Sequence, residues 1–159
     1  GHIPGREVIS REAAVAKISA AVAAREDSDF LIVARTDARE QHGLDEAIER
    51  GRQFHAAGAD IIFIESPESE AEFAAIGAAL SGVTLLANMV EGGRSPLLPR
   101  AQLAEMGFRF IIYPVAVMAT TAASLQKAYA QLAAGDVQEE RVSFEKLSQL
   151  VGFEAARRH

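Results

Sequence analysis

One unit recurs along this chain: a short, β-rich apolar run followed by a longer stretch whose apolar residues fall at helical spacing. The runs are Phe30-Leu31-Ile32-Val33-Ala34, Ile61-Ile62-Phe63-Ile64, Val83-Thr84-Leu85-Leu86-Ala87 and Phe108-Arg109-Phe110-Ile111-Ile112-Tyr113. Most are continuously apolar, as strands of a parallel sheet covered on both faces must be. The stretches between them carry helix punctuation. Ser10 caps a predicted helix that lines up Val15, Ile18 and Val22. A second helix runs from about Leu44 to Ala57, with Leu44, Ile48, Gly51 and His55 in register and Asp45 and Glu46 in its first turn. Ser69-Glu70-Ala71-Glu72 reads as a capping box for a third, which buries Phe73, Ile76 and Leu80. A fourth begins at Pro99 and stops at Gly107; a fifth aligns Met118, Ala122, Leu125, Tyr129 and Leu132 before Gly135; a last covers Ser143 to Val151.

Repeated β-α units with right-handed crossovers make a parallel sheet with helices outside it. Two architectures satisfy that pattern: an open doubly wound sheet, or part of a (β/α)₈ TIM barrel. The doubly wound sheet usually carries a glycine-rich phosphate turn after its first strand, and no G-x-G-x-x-G occurs. A whole barrel takes about 250 residues and eight strands, so a 159-residue chain beginning at Gly1 is expected to hold part of one.

Charge and composition narrow the function classes. The chain has 16 basic and 22 acidic residues, a net charge of −6, and no basic run longer than Arg157-Arg158. Such a chain is a poor partner for nucleic acid or an anionic membrane surface. No apolar stretch approaches the length of a membrane span. Cysteine is absent, which excludes disulfides, zinc-thiolate sites and cysteine nucleophiles within these residues and is compatible with the cytoplasm, the expected location.

Chemistry concentrates where the apolar runs end. The first leads into Arg35-Thr36-Asp37, the second into Glu65-Ser66, the third into Asn88-Met89-Val90-Glu91-Gly92-Gly93-Arg94-Ser95-Pro96, and the fourth into Tyr113-Pro114. In a parallel α/β protein those ends share one face, the face that holds active sites. Arg35 offers a planar fork for a carboxylate or phosphonate, and Asn88 an amide donor for the same kind of oxygen. Glu65 suits a metal reached through water. Gly92-Gly93 with Ser95-Pro96 would make a lid segment. Each residue also has a plainer role. Arg35 and Asp37 could be a strand-end ion pair, Glu65 the start of a helix, and Asn88 and the glycines simple turn chemistry. His42 and His55 are expected to be structural or solvated, and His2 and His159 are terminal residues.

The opening Gly1-His2, then Ile32-Val33-Ala34-Arg35-Thr36-Asp37-Ala38, Ala57-Gly58-Ala59-Asp60, Phe63-Ile64-Glu65, Ala87-Asn88-Met89-Val90-Glu91-Gly92-Gly93 and Tyr113-Pro114, taken in this order, resemble the isocitrate lyase/phosphoenolpyruvate mutase superfamily. Similarity to the methylisocitrate lyase and dimethylmalate lyase branch is strongest, and it runs from residue 1 to about 136. The resemblance implies a TIM barrel of which residues 1–136 are the second half, strands five to eight, with 137–159 as a C-terminal helical extension. It implies a Mg²⁺-dependent enzyme (Mn²⁺ being an alternative) that cleaves a carbon–carbon bond in a 2-hydroxy di- or tricarboxylate through an enolate. His2, Arg35 and Glu65 would be catalytic, His2 closing a K-[KR]-C-G-H loop. Arg35, Asn88, Glu91, Gly92, Ser95 and Pro96 would bind the carboxylate substrate. No metal ligand is assigned within the chain, the acidic ligands belonging to strands it lacks. Such enzymes are homo-oligomers whose last helices pack against, or swap with, a neighbouring subunit, which would account for the apolar helix from Met118 to Leu132.

Four strands cut from a closed barrel leave two unpaired edges and an uncovered inner face. The chain is therefore expected to need further strands, or to self-associate, and to be inactive alone. A phosphonomutase, an oxaloacetate decarboxylase of the same superfamily, and a non-catalytic half-barrel assembling with another chain are the alternatives.

Overall fold

The computed structural model describes residues 7–136 and 141–153. Its order is α1 (Arg11–Ala24), β1 (Val33–Thr36), α2 (Ala38–His42), α3 (Leu44–Ala56), β2 (Ile61–Ile64), α4 (Glu70–Ala79), β3 (Leu85–Asn88), α5 (Arg100–Glu105), β4 (Phe108–Ile112), α6 (Ala116–Ala134) and α7 (Phe144–Leu150). Residues 1–117 and 118–159 form two compact units, the division falling within α6.

In the first unit the four strands form one sheet in the order β1-β2-β3-β4, every pair parallel. The order never reverses. A doubly wound sheet would reverse at its switch point, so of the two architectures the sheet follows the barrel's. Each helix-facing strand residue joins one large core. Ile32, Ala34, Ile62, Ile64, Leu85 and Ala87 meet Ile48 and Phe54 of α3, Phe73 and Ile76 of α4 and Leu103 of α5, with Val15, Ile18 and Val22 of α1 packed against them. Phe73 and Phe108 meet edge to face, ring centroids 5.3 Å apart. Gly77 allows α4 to approach the turn into β4 closely: a Cβ there would stand 1.9 Å from the Met106 carbonyl oxygen.

The opposite face is a much thinner cluster, Ile61, Phe63 and Leu86. An irregularity in the β3–β4 register places Phe110 beside Leu86 and Ile112 beside Asn88, so both side chains join this face. They are 44% and 40% exposed, and Val33 on the other margin is 46% exposed. This open apolar face, between two edge strands with one neighbour each, is the uncovered inner surface expected of a partial barrel.

Several boundaries differ from the sequence pattern. β1 begins at Val33, not Phe30, and β3 at Leu85, not Val83. Both apolar runs are extended beyond what the ladder needs, and Phe30 is exposed. α2 was not anticipated. In α3 the buried positions are Ala47, Ile48, Arg50, Gly51 and Phe54, while His55 faces solvent, one residue off the expected stripe. Pro99 is the N-cap of α5 rather than its first turn. The caps at Ser10, Ser69 and Ser143 form, each hydroxyl accepting from the backbone N–H three residues on. In the box of α4 the Glu72 carboxylate accepts from Glu68 N–H, one residue ahead of the cap.

Glu46 does more than complement the α3 dipole. Its carboxylate accepts from Arg11 of α1 and from the buried Arg50, whose Nη1 also donates to the Ile9 carbonyl at 2.9 Å. Hydrogen bonds from Arg11 and then Arg50 hold the Glu46 carboxyl down to about 2, against an ordinary 4.5. In the second unit, α6 ends at Gly135 (φ +78°). None of its residues is buried: Met118, Leu125, Tyr129 and Leu132 are exposed, as are Phe144, Leu147 and Leu150 of α7.

Candidate active site

Arg35 reaches the open face because it alternates with Ala34 and Thr36, which are buried on the helix side of β1. Its guanidinium lies over the Phe63 ring of β2, 5.2 Å from the centroid. Nε and Nη2 donate to the two oxygens of Asp37, at 2.6 and 3.0 Å. Nη2 also lies 3.3 Å from Oε2 of Glu65, without the alignment of a hydrogen bond.

Glu65 follows β2 directly. Its N–H donates to the Thr36 carbonyl (3.0 Å), carrying the β1–β2 ladder one step past the strand end and burying the side chain. Ser66 sits at φ +58°, a conformation rare for a residue with a side chain, and its hydroxyl donates to Glu65 Oε1 at 3.1 Å. Glu65 is only 4% exposed, and its Oε2 accepts no hydrogen bond from the described residues. Asn88 ends β3 half-buried, and its Oδ1 is likewise buried without a donor. Two orphaned acceptors at the ends of neighbouring strands mark a place where donors from a ligand or its waters fit.

The remaining sequence candidates divide. Glu91 and Gly92 lie exposed in a tight turn closed by Gly93 N–H to the Val90 carbonyl (3.0 Å), with Gly92 at φ +72°. Ser95 and Pro96 follow, half-buried. None of these four makes a described contact with Arg35, Glu65 or Asn88. His2 lies outside the described residues. A hollow of about 420 Å³ touches Arg35, Thr36, Asp37 and Glu40, with Ile18 and Phe54 across from them; Glu65 and Asn88 do not line it. Arg35 and Glu65 are thus brought together and Asn88 adjoins on the next strand, while of these three only Arg35 borders the open hollow.

Tertiary structure adds α2 to the rim. Arg39 donates to both Glu72 oxygens (3.0 and 2.6 Å) and pairs with Glu68 at 2.5 Å, while Glu40 pairs with Arg94 of the glycine loop at 2.6 Å. The Arg39 hydrogen bond lowers the Glu72 carboxyl, and Glu72 in turn raises Arg39. The only trace of this in the sequence is the run of Arg39 and Glu40 after Asp37. Asp37 occupies the N-cap position of α2 without capping it, its carboxylate being engaged by Arg35. The Ala57–Asp60 segment, by contrast, lies at the opposite end of the sheet. There Asp60 accepts from Ile32 N–H (2.8 Å) and Arg25 (2.6 Å), and these hold its carboxyl below the usual range, the Ile32 N–H first.

Among the described residues no group of three or more His, Cys, Asp and Glu side chains could hold a metal, and no helix is long and apolar enough to cross a membrane.

A parallel, singly wound β/α sheet with its polar groups at the strand ends defines the class: an α/β fold of four parallel strands, built like part of a (β/α) barrel. The phosphoenolpyruvate phosphomutase family model matches residues 2–133, and the chain belongs to that family, within the phosphoenolpyruvate mutase/isocitrate lyase superfamily. It is 47% identical to 2,3-dimethylmalate lyase of Eubacterium barkeri over 99% of this chain and 55% of that protein. It is 42% identical to a probable 2-methylisocitrate lyase of Corynebacterium glutamicum over 87% of this chain and 46% of that one. Among solved structures, oxaloacetate acetylhydrolase with 3,3-difluorooxalacetate superposes with a TM-score of 0.87 at 36% identity, over 98% of this chain and 54% of that one. Phosphonopyruvate hydrolase with oxalate and Mg²⁺ superposes with a TM-score of 0.75 at 28% identity, over 98% and 57%. The chain spans about half the length of the relatives it matches.

Proposed function

We propose that this chain supplies the carboxylate-gripping part of a carbon–carbon lyase acting on a 2-hydroxy di- or tricarboxylate of the dimethylmalate or methylisocitrate type. The observation that carries the proposal is the junction of Arg35 with Glu65, whose buried Oε2 lies 3.3 Å from Arg35 Nη2 yet accepts no hydrogen bond from the described residues. Arg35 would receive a substrate carboxylate, and the Asn88 amide would donate to the same ligand. Glu91, Gly92, Ser95 and Pro96 would close over it from the loop after β3, and His2 would stand with Arg35 and Glu65 in catalysis. The relatives' names and the bound oxalate and difluorooxalacetate support a small dicarboxylate as substrate class.

Magnesium fits the chain's own donors only as an outer partner. A single buried carboxylate oxygen, Glu65 Oε2, is placed to accept from a water of the ion's shell, and Mg²⁺ commonly keeps such waters. When bound, the ion would stabilise negative charge developing on the substrate oxygen at cleavage. Mn²⁺ offers the same donor preference.

In this reading residues 1–136 are strands five to eight of the barrel, 137–159 an extension, and the exposed apolar side of α6 the surface that meets another subunit of a cytoplasmic homo-oligomer. The open sheet face favours a companion reading, that other strands must cover it before turnover occurs. The test is Mg²⁺-dependent release of an α-keto acid from 2,3-dimethylmalate and 2-methylisocitrate. It is run with the chain alone and with the chain mixed with the part of 2,3-dimethylmalate lyase that it does not match. Turnover confined to the mixture and abolished by Arg35→Ala is expected. Turnover by the chain alone refutes the need for cover, and inactivity of a mixture that demonstrably forms a complex refutes the lyase assignment.

A further inference from the structure

Among the arginine–carboxylate pairings of the first unit, that of Arg35 with Asp37 differs in kind from those that join distant elements. Arg11 with Glu46, Arg25 with Asp60 and Arg39 with Glu72 join residues 33 to 35 positions apart and so fasten one element to another. Arg35 and Asp37 are two positions apart at the end of the same strand. Their pairing cross-links nothing, and a pair with side chains 36% and 21% exposed adds little stability. What it fixes is the guanidinium itself.

The fork engages Nε and Nη2 along one edge of the group. Phe63 supports the guanidinium at 5.2 Å, and Glu65 Oε2 stands 3.3 Å from Nη2. Three donors remain, two on Nη1 and one on Nη2, and no hydrogen bond from Nη1 occurs among the described residues. That second edge is the one able to meet a planar carboxylate with two parallel hydrogen bonds. A free arginine would lose several rotors on binding; one already held loses fewer.

We propose that Asp37 is the positioning residue for Arg35, holding one edge of the guanidinium so that the other is presented to a ligand carboxylate. The proposal rests on the carboxylate-binding role of Arg35 given above. It also accounts for why Asp37 stands at the N-cap of α2 yet makes no capping bond there.

Positioning and simple charge make opposite demands, which yields the test. Asp37→Asn removes a negative charge beside the site at constant shape. By Coulomb's law alone an anion should then bind more tightly; if Asp37 positions Arg35, it should bind more weakly. The 159-residue chain is titrated with oxalate in the presence of Mg²⁺, followed by the Arg35 Nε–Hε resonance, which loss of the signal in Arg35→Lys identifies. In the wild type that resonance should be sharp and displaced from those of solvated arginines. In Asp37→Asn it should collapse into them, and the oxalate affinity should fall about tenfold, the loss of one charge-assisted fork. Asp37→Glu should recover part of both. An unchanged resonance, or oxalate binding equal or tighter in Asp37→Asn, overturns the proposal. Should oxalate leave the wild-type resonance unmoved, the carboxylate-binding role fails instead, and the Asp37→Asn resonance alone then upholds or refutes positioning.

Discussion

Glu46→Gln removes one charge at constant shape from the carboxylate that ties α1 to α3. Glu46 accepts from Arg11 on α1 and from Arg50, whose side chain is 5% exposed on α3. Helix α1 in turn forms the wall of the hollow beside Arg35. The folded-state carboxyl is held at about 2, against an ordinary 4.5, an interval equivalent to about 3 kcal/mol of preference for the ionised form. Because the folded value is the depressed one, the stabilisation is fully present above the ordinary value and lost as the pH falls through the interval towards 2. Glutamine cannot ionise. Solvent screening of a pair whose side chains are 34% and 20% exposed reduces that preference, so the wild type should exceed Glu46→Gln by about 1–2 kcal/mol at pH 7 and by about half that or less at pH 3. Urea unfolding followed by circular dichroism at both pH values measures the gap, since for a chain of this size it moves the midpoint by about 0.5–1 M. A gap below about 0.5 kcal/mol at pH 7, or one of equal size at pH 3, would show that the bridge does not anchor α1.

Two further substitutions probe the packing beneath the site. Gly77→Ala places a Cβ 1.9 Å from a backbone oxygen that no rotamer change can relieve. It should lower stability by about 1–3 kcal/mol, read as a drop in Tm, and an unchanged Tm would mean that α4 and the Met106 turn are not in close contact. Phe73→Ala empties a fully buried position that meets Phe108 edge to face. A loss of about 3–5 kcal/mol in chemical denaturation is expected; a loss under 1 kcal/mol would contradict the core described for the helix side of the sheet.

The alternation of apolar runs with capped amphipathic stretches settled the class of fold, because burial on both faces of a parallel strand leaves a local mark in the sequence. Serine caps at positions 10 and 69 were legible for the same reason, each being completed within three residues, while Ser143, read as part of the last helix, caps it instead. Arg35, Glu65 and Asn88 fall at the carboxyl ends of three neighbouring strands, where the sequence pattern places them. What only tertiary structure decided depends on distances between segments far apart in the chain. The unreversed strand order separated a barrel arrangement from a doubly wound one, although both give the same local pattern. The β3–β4 register irregularity turned Phe110 and Ile112 onto the open face, an outcome that the run from Phe108 to Tyr113, with apolar residues at both parities, leaves undecided. His55 and Phe54 exchanged roles because a helical stripe is broad enough to leave its margin to the neighbouring elements. Finally, the ion pair of Arg35 with Asp37 was legible because its partners are two positions apart, whereas the helix α2 that begins after Asp37, and the placement of the Arg35 guanidinium over Phe63, were set only by the tertiary structure.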